Sequence, residues 1–261
     1  MSEQTPLLSV RGLTKSFGGV TAVHDVSFDI FPGEIVAVIG PNGAGKTTLF
    51  NMVTAVLPAT SGSACFDGVE VLGKEPFEIA TLGITRTFQN LQIFGNMSVV
   101  ENVMTGMHTR GRCGLLGAGF RLRSVALEEK RMLEKAFGYL DMVGMLPKAY
   151  ESAAMQPYGN QRLIEIARAA AAEPKLILLD EPMAGLNPEE SRELVNVILQ
   201  MRKAGMTFLF VEHDMETVMT TADRIVVLDY GGKIAEGTPE EIYNDPRVIA
   251  AYLGDEEVLS C

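Results

Sequence analysis

IVAVIGPNGAGKTTLFNMVTAV, residues 35–56, decides how the rest of the chain is read. Its first five residues are apolar without alternation, as a strand buried on both faces requires. The next eight, GPNGAGKT from Gly40 to Thr47, form a glycine-rich turn, and TLFNMVTAV after them reads as a helix. Strand, glycine loop and helix thus stand in the order of a phosphate-binding turn. Such a turn curls backbone N–H groups around an anion, so it needs residues without side chains in the way. The helix N-terminus adds partial positive charge. Asn42, Gly43, Ala44, Gly45, Lys46, Thr47 and Thr48 are therefore candidates for holding a nucleotide. Lys46 would reach the outer phosphates and the Thr47 hydroxyl could ligate Mg²⁺.

A second stretch answers the first. LILLDEP, residues 176–182, is a buried strand ending in two adjacent carboxylates, a costly arrangement unless positive charge waits there. Asp180 would hold Mg²⁺ through water or together with Thr47, and Glu181 would orient or deprotonate an attacking water. A guanine-nucleotide enzyme is disfavoured: its DxxG would need Gly at 183, where Met183 stands, and no Asn-Lys-x-Asp occurs. A small-molecule kinase would leave Glu181 without a task.

The remaining chain is compatible with one large α/β unit. At 261 residues it can bury a sizeable core, and its composition, 47% hydrophobic and 21% charged, is that of a globular protein. No apolar run approaches the roughly 20 residues of a membrane-spanning helix. MSEQTPLLSV at the start has neither basic leader nor hydrophobic signal core, so export is not expected. Cys65, Cys113 and Cys261 match no metal spacing and suggest a reducing cytosol. A net charge of −11 argues against broad nucleic-acid binding. Positive charge gathers only in RGRCGLLGAGFRLR (110–123), a solvated Gly-rich loop or a contact for anionic lipid or a membrane partner.

LILL (176–179), FLFV (208–211) and IVVL (225–228) repeat the buried-strand pattern, whereas VTAVHDVSFDI (20–30) alternates like a half-exposed antiparallel strand. GSACFDG (62–68) and DYGGKIAEG (229–237) read as strands or hairpins near turns. Asn187-Pro188-Glu189-Glu190 and Thr238-Pro239-Glu240-Glu241 each offer an N-cap, a first-turn proline and a Glu three residues past the cap. From about 97 to 172 strand signals are scarce. LEEKRMLEKAFGYLDMVGML (127–146) puts Leu133, Phe137, Leu140 and Val143 on one helical face. The expected fold is α/β, a mixed sheet with a parallel core, an antiparallel lobe and an inserted helical subdomain.

With the phosphate loop and LILLDEP in place, the chain resembles the ATP-binding subunits of ABC transporters over nearly its whole length. The resemblance implies a first part of the ATP-binding core at 1–88, a helical part at 89–165 and the rest of the core at 166–261. It implies roles for further residues. Gln89 in RTFQN matches the family's Q-loop glutamine, which would touch Mg²⁺ or the lytic water. His213 in FLFVEHD matches the switch histidine at the γ-phosphate. AGLN (184–187) lies where the family's D-loop passes close to a partner subunit. Phe17 in KSFGG matches the aromatic stacked on adenine. MQPYGNQRLIEIARA (155–169) falls at the family's signature turn, commonly Leu-Ser-Gly-Gly-Gln, which binds the γ-phosphate of ATP held by the other ATPase subunit.

Here that turn reads Gln156, Pro157, Tyr158, Gly159, Asn160. Pro157 supplies neither hydroxyl nor N–H, and a hydrogen bond to a charged group is worth about 1.5–3 kcal/mol. The amides at Gly159 and beyond nevertheless open a helix, which attracts anions whatever its side chains are, and Asn160 retains its hydrogen-bonding groups. Tyr158, Gly159 and Asn160 are therefore read as an altered but working turn. The Tyr-Gly signature, with GITRTFQN, EPMAGLNP, VEHDMETVM and EGTPEEIYNDPRVIAAYLG, is similar to the larger ATPase subunit of branched-chain amino acid importers, a group whose relatives handle amides, urea and similar polar solutes. That likeness implies ATP and Mg²⁺ as cofactors and a second ATPase subunit, a paralogue or a second copy. It further implies two permease subunits, an extracytoplasmic solute-binding protein and a place on the cytoplasmic face of the membrane. A lipid or lipopolysaccharide exporter ATPase, a soluble ABC protein and a nucleotide-dependent regulator without turnover are the alternatives.

Overall fold

The computed structural model describes residues 5–87, 90–107 and 123–258. Gln89, Cys113, Cys261 and residues 110–122 of the Gly/Arg-rich stretch lie outside them. Four strands, β1 (Leu8–Phe17), β2 (Val20–Ile30), β4 (Ser61–Phe66) and β5 (Val69–Glu70), form an antiparallel sheet in the order β2-β1-β4-β5. Six more are β3 (Ile35–Ile39), β6 (Ile84–Arg86), β7 (Leu176–Asp180), β8 (Thr207–Val211), β9 (Arg224–Asp229) and β10 (Gly232–Gly237). They form a second sheet in the order β10-β9-β3-β8-β7-β6, parallel except for the β9–β10 hairpin. The parallel core and antiparallel lobe expected from the sequence are both present, and the lobe is a sheet of its own.

Burial explains the apolar runs. All five residues of β3, β7 and β8 are buried. Val36, Val38, Leu178, Leu209 and Val226 face the antiparallel sheet, whose Leu8, Val10, Val23, Phe28 and Phe66 meet them. Ile35, Ala37, Ile177, Phe208 and Ile225 face the opposite way, toward helices. With apolar neighbours on both sides, the middles of these strands are apolar, and polar residues stand only at strand ends, Asp180 in β7 and Thr207 in β8.

Helix α1 (Lys46–Val53) follows the phosphate loop and buries Leu49, Phe50, Met52 and Val53 between the two sheets. α2 (Pro76–Leu82) precedes β6. The helical side comprises α3 (Val99–Thr105), α4 (Arg123–Met142) and α5 (Tyr158–Ala171). Its Val103, Ala136, Leu140 and Ile164 belong to the same hydrophobic cluster as Ile177 and Phe208, so it shares a core with the large sheet. The domain boundary expected between 165 and 166 falls inside α5. On α4, Leu140 and Val143 beyond its end are buried, with Leu133 and Phe137 partly so. The helix stops at Met142 as the chain turns through Gly144, φ 71°. α3 crosses α5 so closely that a methyl group on Gly106 would overlap the Arg168 carbonyl oxygen.

α6 (Pro188–Lys203), α7 (Met215–Thr221), α8 (Pro239–Tyr243) and α9 (Pro246–Val258) complete the described chain. The caps read at Asn187 and Thr238 form as full capping boxes with Glu190 and Glu241. No helix among the described residues is long and apolar enough to cross a membrane.

Candidate active site

The phosphate loop is held by contacts that only glycine permits at two positions. Gly40, φ 150°, lies so near the Leu228 carbonyl oxygen that a Cβ would overlap it. Gly45, φ 98°, approaches the Ala22 carbonyl oxygen in the same way. Lys46 Nζ donates to the carbonyls of Gly40 (2.6 Å) and Pro41 (2.9 Å), bending the side chain back over the loop. The result is a cavity of about 220 Å³ lined by Ala22, by every residue from Asn42 to Thr48, and by Glu181 and His213.

Glu181 and His213 therefore come from two neighbouring strand ends to one wall of the cavity. His213 Nε2 lies 3.0 Å from Glu181 Oε1. Glu181 has φ 47°, a conformation uncommon outside glycine and a form of stored strain. Its N–H donates to the Val211 carbonyl (3.0 Å), which fixes this backbone against the end of β8.

Asp180, one residue earlier, is 4% exposed. One carboxylate oxygen accepts from Arg86 at 2.6 Å, in a pair whose side chains are 9% and 6% exposed. Arg86 also donates to Asn51 Oδ1 at 2.6 Å and Thr54 Oγ1 at 3.2 Å, and its guanidinium lies over the Phe50 ring. Thus the last residue of β6 ties the end of β7 to the helix behind the phosphate loop. A third acid, Glu212, is buried beside His213 and accepts from the backbone N–H of Met183 (2.7 Å) and of His213 (3.1 Å). Burial pushes its carboxyl up from the ordinary glutamate value, against the pull of those two amides. Neither Arg86 nor Glu212 stands out in the sequence, because nothing in RTFQN or FVEHD shows which strand ends become neighbours.

Besides Asp180, Phe17 and the residues of the signature turn lie apart from the cavity lining. Phe17 ends β1, half exposed, with the Lys15 ammonium 5.0 Å from its ring centroid. Tyr158, Gly159 and Asn160 occupy the first turn of α5, on the helical side. Pro157 caps that helix without a side-chain bond; Asn160 Nδ2 donates weakly to Gln156 Oε1 at 3.4 Å. In one chain, then, the loop residues, Glu181 and His213 meet, and the turn at 156–160 does not join them.

The donor set suits Mg²⁺. Thr47 and Asp180 offer the hard oxygen ligands that Mg²⁺ takes, one or two from the protein alongside substrate phosphates.

Comparison with known proteins decides the family. The ABC transporter profile matches residues 23–184. The chain belongs to the ABC transporter family. A second profile, that of the branched-chain amino acid ATP-binding cassette transporter, matches residues 233–258. The high-affinity branched-chain amino acid transport ATP-binding protein LivG of Escherichia coli K12 is 42% identical over 96% of this chain and 98% of its own. BraF of Pseudomonas aeruginosa, described in the same words, is 41% identical over the same shares. Among solved structures, the ADP conformation of an ATP-binding cassette of an ABC transporter superposes with a TM-score of 0.83 at 33% identity, covering 96% of this chain and 99% of that one. A nucleotide-free cassette gives 0.81 at 34%, covering 95% and 99%. The ABC-type α/β fold that the family resemblance implied is thus the fold found.

Proposed function

We propose that this chain hydrolyses ATP to energise a membrane importer of branched-chain amino acids or similar small polar solutes. The observation that carries the chemistry is the shared cavity: seven consecutive loop residues on one side, the Glu181–His213 pair on the other. The match at 233–258 and the LivG and BraF likenesses favour this importer over a lipid exporter.

Lys46 and the loop amides bind the phosphates; Thr47 would hold Mg²⁺, with Asp180 acting on the ion through water. The ion, when bound, neutralises charge on the phosphate oxygens. The Glu181 carboxylate holds the attacking water and takes its proton; His213, bonded to Glu181 Oε1, keeps that carboxylate aimed at the γ-phosphate. Gln89 is assigned to the same water or ion, and Phe17, exposed at the end of β1, to the adenine. Tyr158, Gly159 and Asn160, away from their own chain's cavity, serve the nucleotide of a second ATPase subunit, either a paralogue or a second copy. Two permease subunits, met through the surface around Gln89 and the helical side, place the pair at the cytoplasmic face of the membrane. An extracytoplasmic binding protein delivers the solute.

Glu181→Gln tests this assignment. The variant is expected to bind ATP like the parent, to hydrolyse it about 10²–10⁴-fold more slowly, and to accumulate as a closed pair when ATP is present. Turnover at the parent rate would remove Glu181 from the role.

A further inference from the structure

The altered signature turn touches something in its own chain. Tyr158 lies with its ring edge on Gly185, so that a methyl group built there would stand 3.2 Å from Cε1, 3.6 Å from Cζ and 3.7 Å from Oη. Gly185 has φ 80°, in the left-handed region that favours glycine. One residue on, Gly159 packs on α6, where a methyl group would stand 2.7 Å from Glu190 Oε1. Glu190 is no loose chain: its other oxygen accepts from the Asn187 N–H at 2.9 Å in the box that caps α6. The Arg162 guanidinium, anchored to Glu165 by a 2.8 Å bond, lies over the Tyr158 ring with 5.9 Å to the centroid. The start of α5 is thereby seated on residues 185–190 of the same molecule.

Between Gly185 and Glu181 there is little slack. The Ala184 N–H donates to the Glu181 carbonyl and the Leu186 N–H to the Met183 carbonyl, both at 3.1 Å. The Met183 N–H is held by buried Glu212, whose other oxygen holds the His213 N–H. Displacing Gly185 therefore pulls on the short turn that carries Glu181 in its strained backbone conformation, and on the link to its histidine partner.

We propose that Tyr158 is a positioning residue that couples the signature turn of this chain to the chain's own catalytic carboxylate, Glu181. The inference rests on the reading that 156–160 closes over ATP held by the second subunit. Engagement of that ATP moves the start of α5, and the ring on Gly185 passes the movement to Glu181. Each chain's hydrolytic readiness then depends on the nucleotide its partner holds. The usual glycine at this position offers no ring to make the contact; here the tyrosine supplies it.

The test reads the effect at this chain's own Glu181 and not at the site that its signature turn covers. In the assembled transporter the partner ATPase, whether paralogue or second copy, carries glutamine in place of its own catalytic glutamate. Only the site containing this chain's loop and Glu181 then turns over, and it is completed by the partner's unaltered signature turn. Tyr158→Ala in this chain is expected to lower kcat at that site about 2- to 30-fold, with the KM for ATP and ATP binding by the lone chain near parent values. Tyr158→Phe, which keeps the ring, is expected to recover most of the rate. Tyr158→Leu replaces the alanine variant if the latter does not fold. An unchanged kcat with Tyr158→Ala, or an equal loss with Tyr158→Phe, overturns the coupling while leaving the paired-subunit reading intact. If Glu181→Gln chains never pair on ATP, that reading falls and the coupling with it.

Discussion

Arg86→Met should expose how the buried Asp180 is tolerated. Arg86 and Asp180 are 9% and 6% exposed and 2.6 Å apart, so removing the cation leaves a carboxylate that water barely reaches. Breaking a buried pair from one side costs about 3–5 kcal/mol, a large share of the roughly 5–15 kcal/mol that holds a protein folded. For a chain of this size that corresponds to a fall in Tm of roughly 6–20 °C. The double variant Arg86→Met/Asp180→Leu should recover most of this, because a well-packed apolar pair in place of a buried ion pair is often neutral or better. It should stay about 1 kcal/mol short, since Asn51 Oδ1 also loses the donor it had in Arg86. Denaturant titrations without nucleotide, with ATP and EDTA, and with ATP and Mg²⁺ provide the assay. If Asp180 faces the metal, the single variant's deficit should shrink in the third condition alone, where a new positive charge stands near the orphaned carboxylate. A deficit below about 1 kcal/mol, or one indifferent to Mg²⁺, would refute the reasoning.

Two other perturbations check packing and electrostatics. Gly106→Ala would push a methyl group into the Arg168 carbonyl at the α3–α5 crossing and should destabilise by about 1–3 kcal/mol. Gly138→Ala, on an exposed stretch of α4 with nothing within 4 Å of the added carbon, should stabilise by about 0.5–1 kcal/mol; equal shifts in chemical denaturation would contradict the packing. Glu212 has its pKa raised above 4.5 by burial. The folded state thus binds its proton more tightly than the unfolded one, so its contribution is full below the ordinary value and is lost as pH rises through the raised one. Glu212→Gln, which cannot titrate, should therefore gain on the parent in urea unfolding as pH rises from the ordinary glutamate value through the raised one. A flat gap, or one opening the other way, would mean that the two backbone amides outweigh burial.

What was legible in the sequence was whatever local chemistry dictates. The phosphate loop announces itself because no other residue fits where Gly40 and Gly45 approach the Leu228 and Ala22 carbonyls. Asn187 and Thr238 announce helix starts because the cap and its glutamate lie three residues apart in the chain. β1 was harder. Its pairing with β2 shifts register between Val10 and Leu13, between Leu13 and Lys15, and between Lys15 and Ser16, which breaks the period-two pattern by which a strand is read. β6 offers only three residues, too few for any periodicity. The ring of Tyr158 on Gly185 and the reach of Arg86 to Asp180 join residues far apart in the chain, and composition says nothing of such neighbours.

Three acids converge where β7 and β8 end, and the fold treats each differently. Asp180 is covered and matched by Arg86, so its charge is offset before any metal arrives. Glu212 is buried, and both its oxygens are taken by backbone amides, so it serves to hold Met183 and His213 in place. Only Glu181 lines the cavity beside the phosphate loop, with 19% of its side chain exposed and His213 on one oxygen. A general base must reach the water it activates, and of the three only Glu181 has a surface on that space. The strained backbone at Glu181 follows from the same requirement. A residue continuing the extended path of β7 would alternate away from the loop, and the turn to φ 47° brings its side chain back to face it.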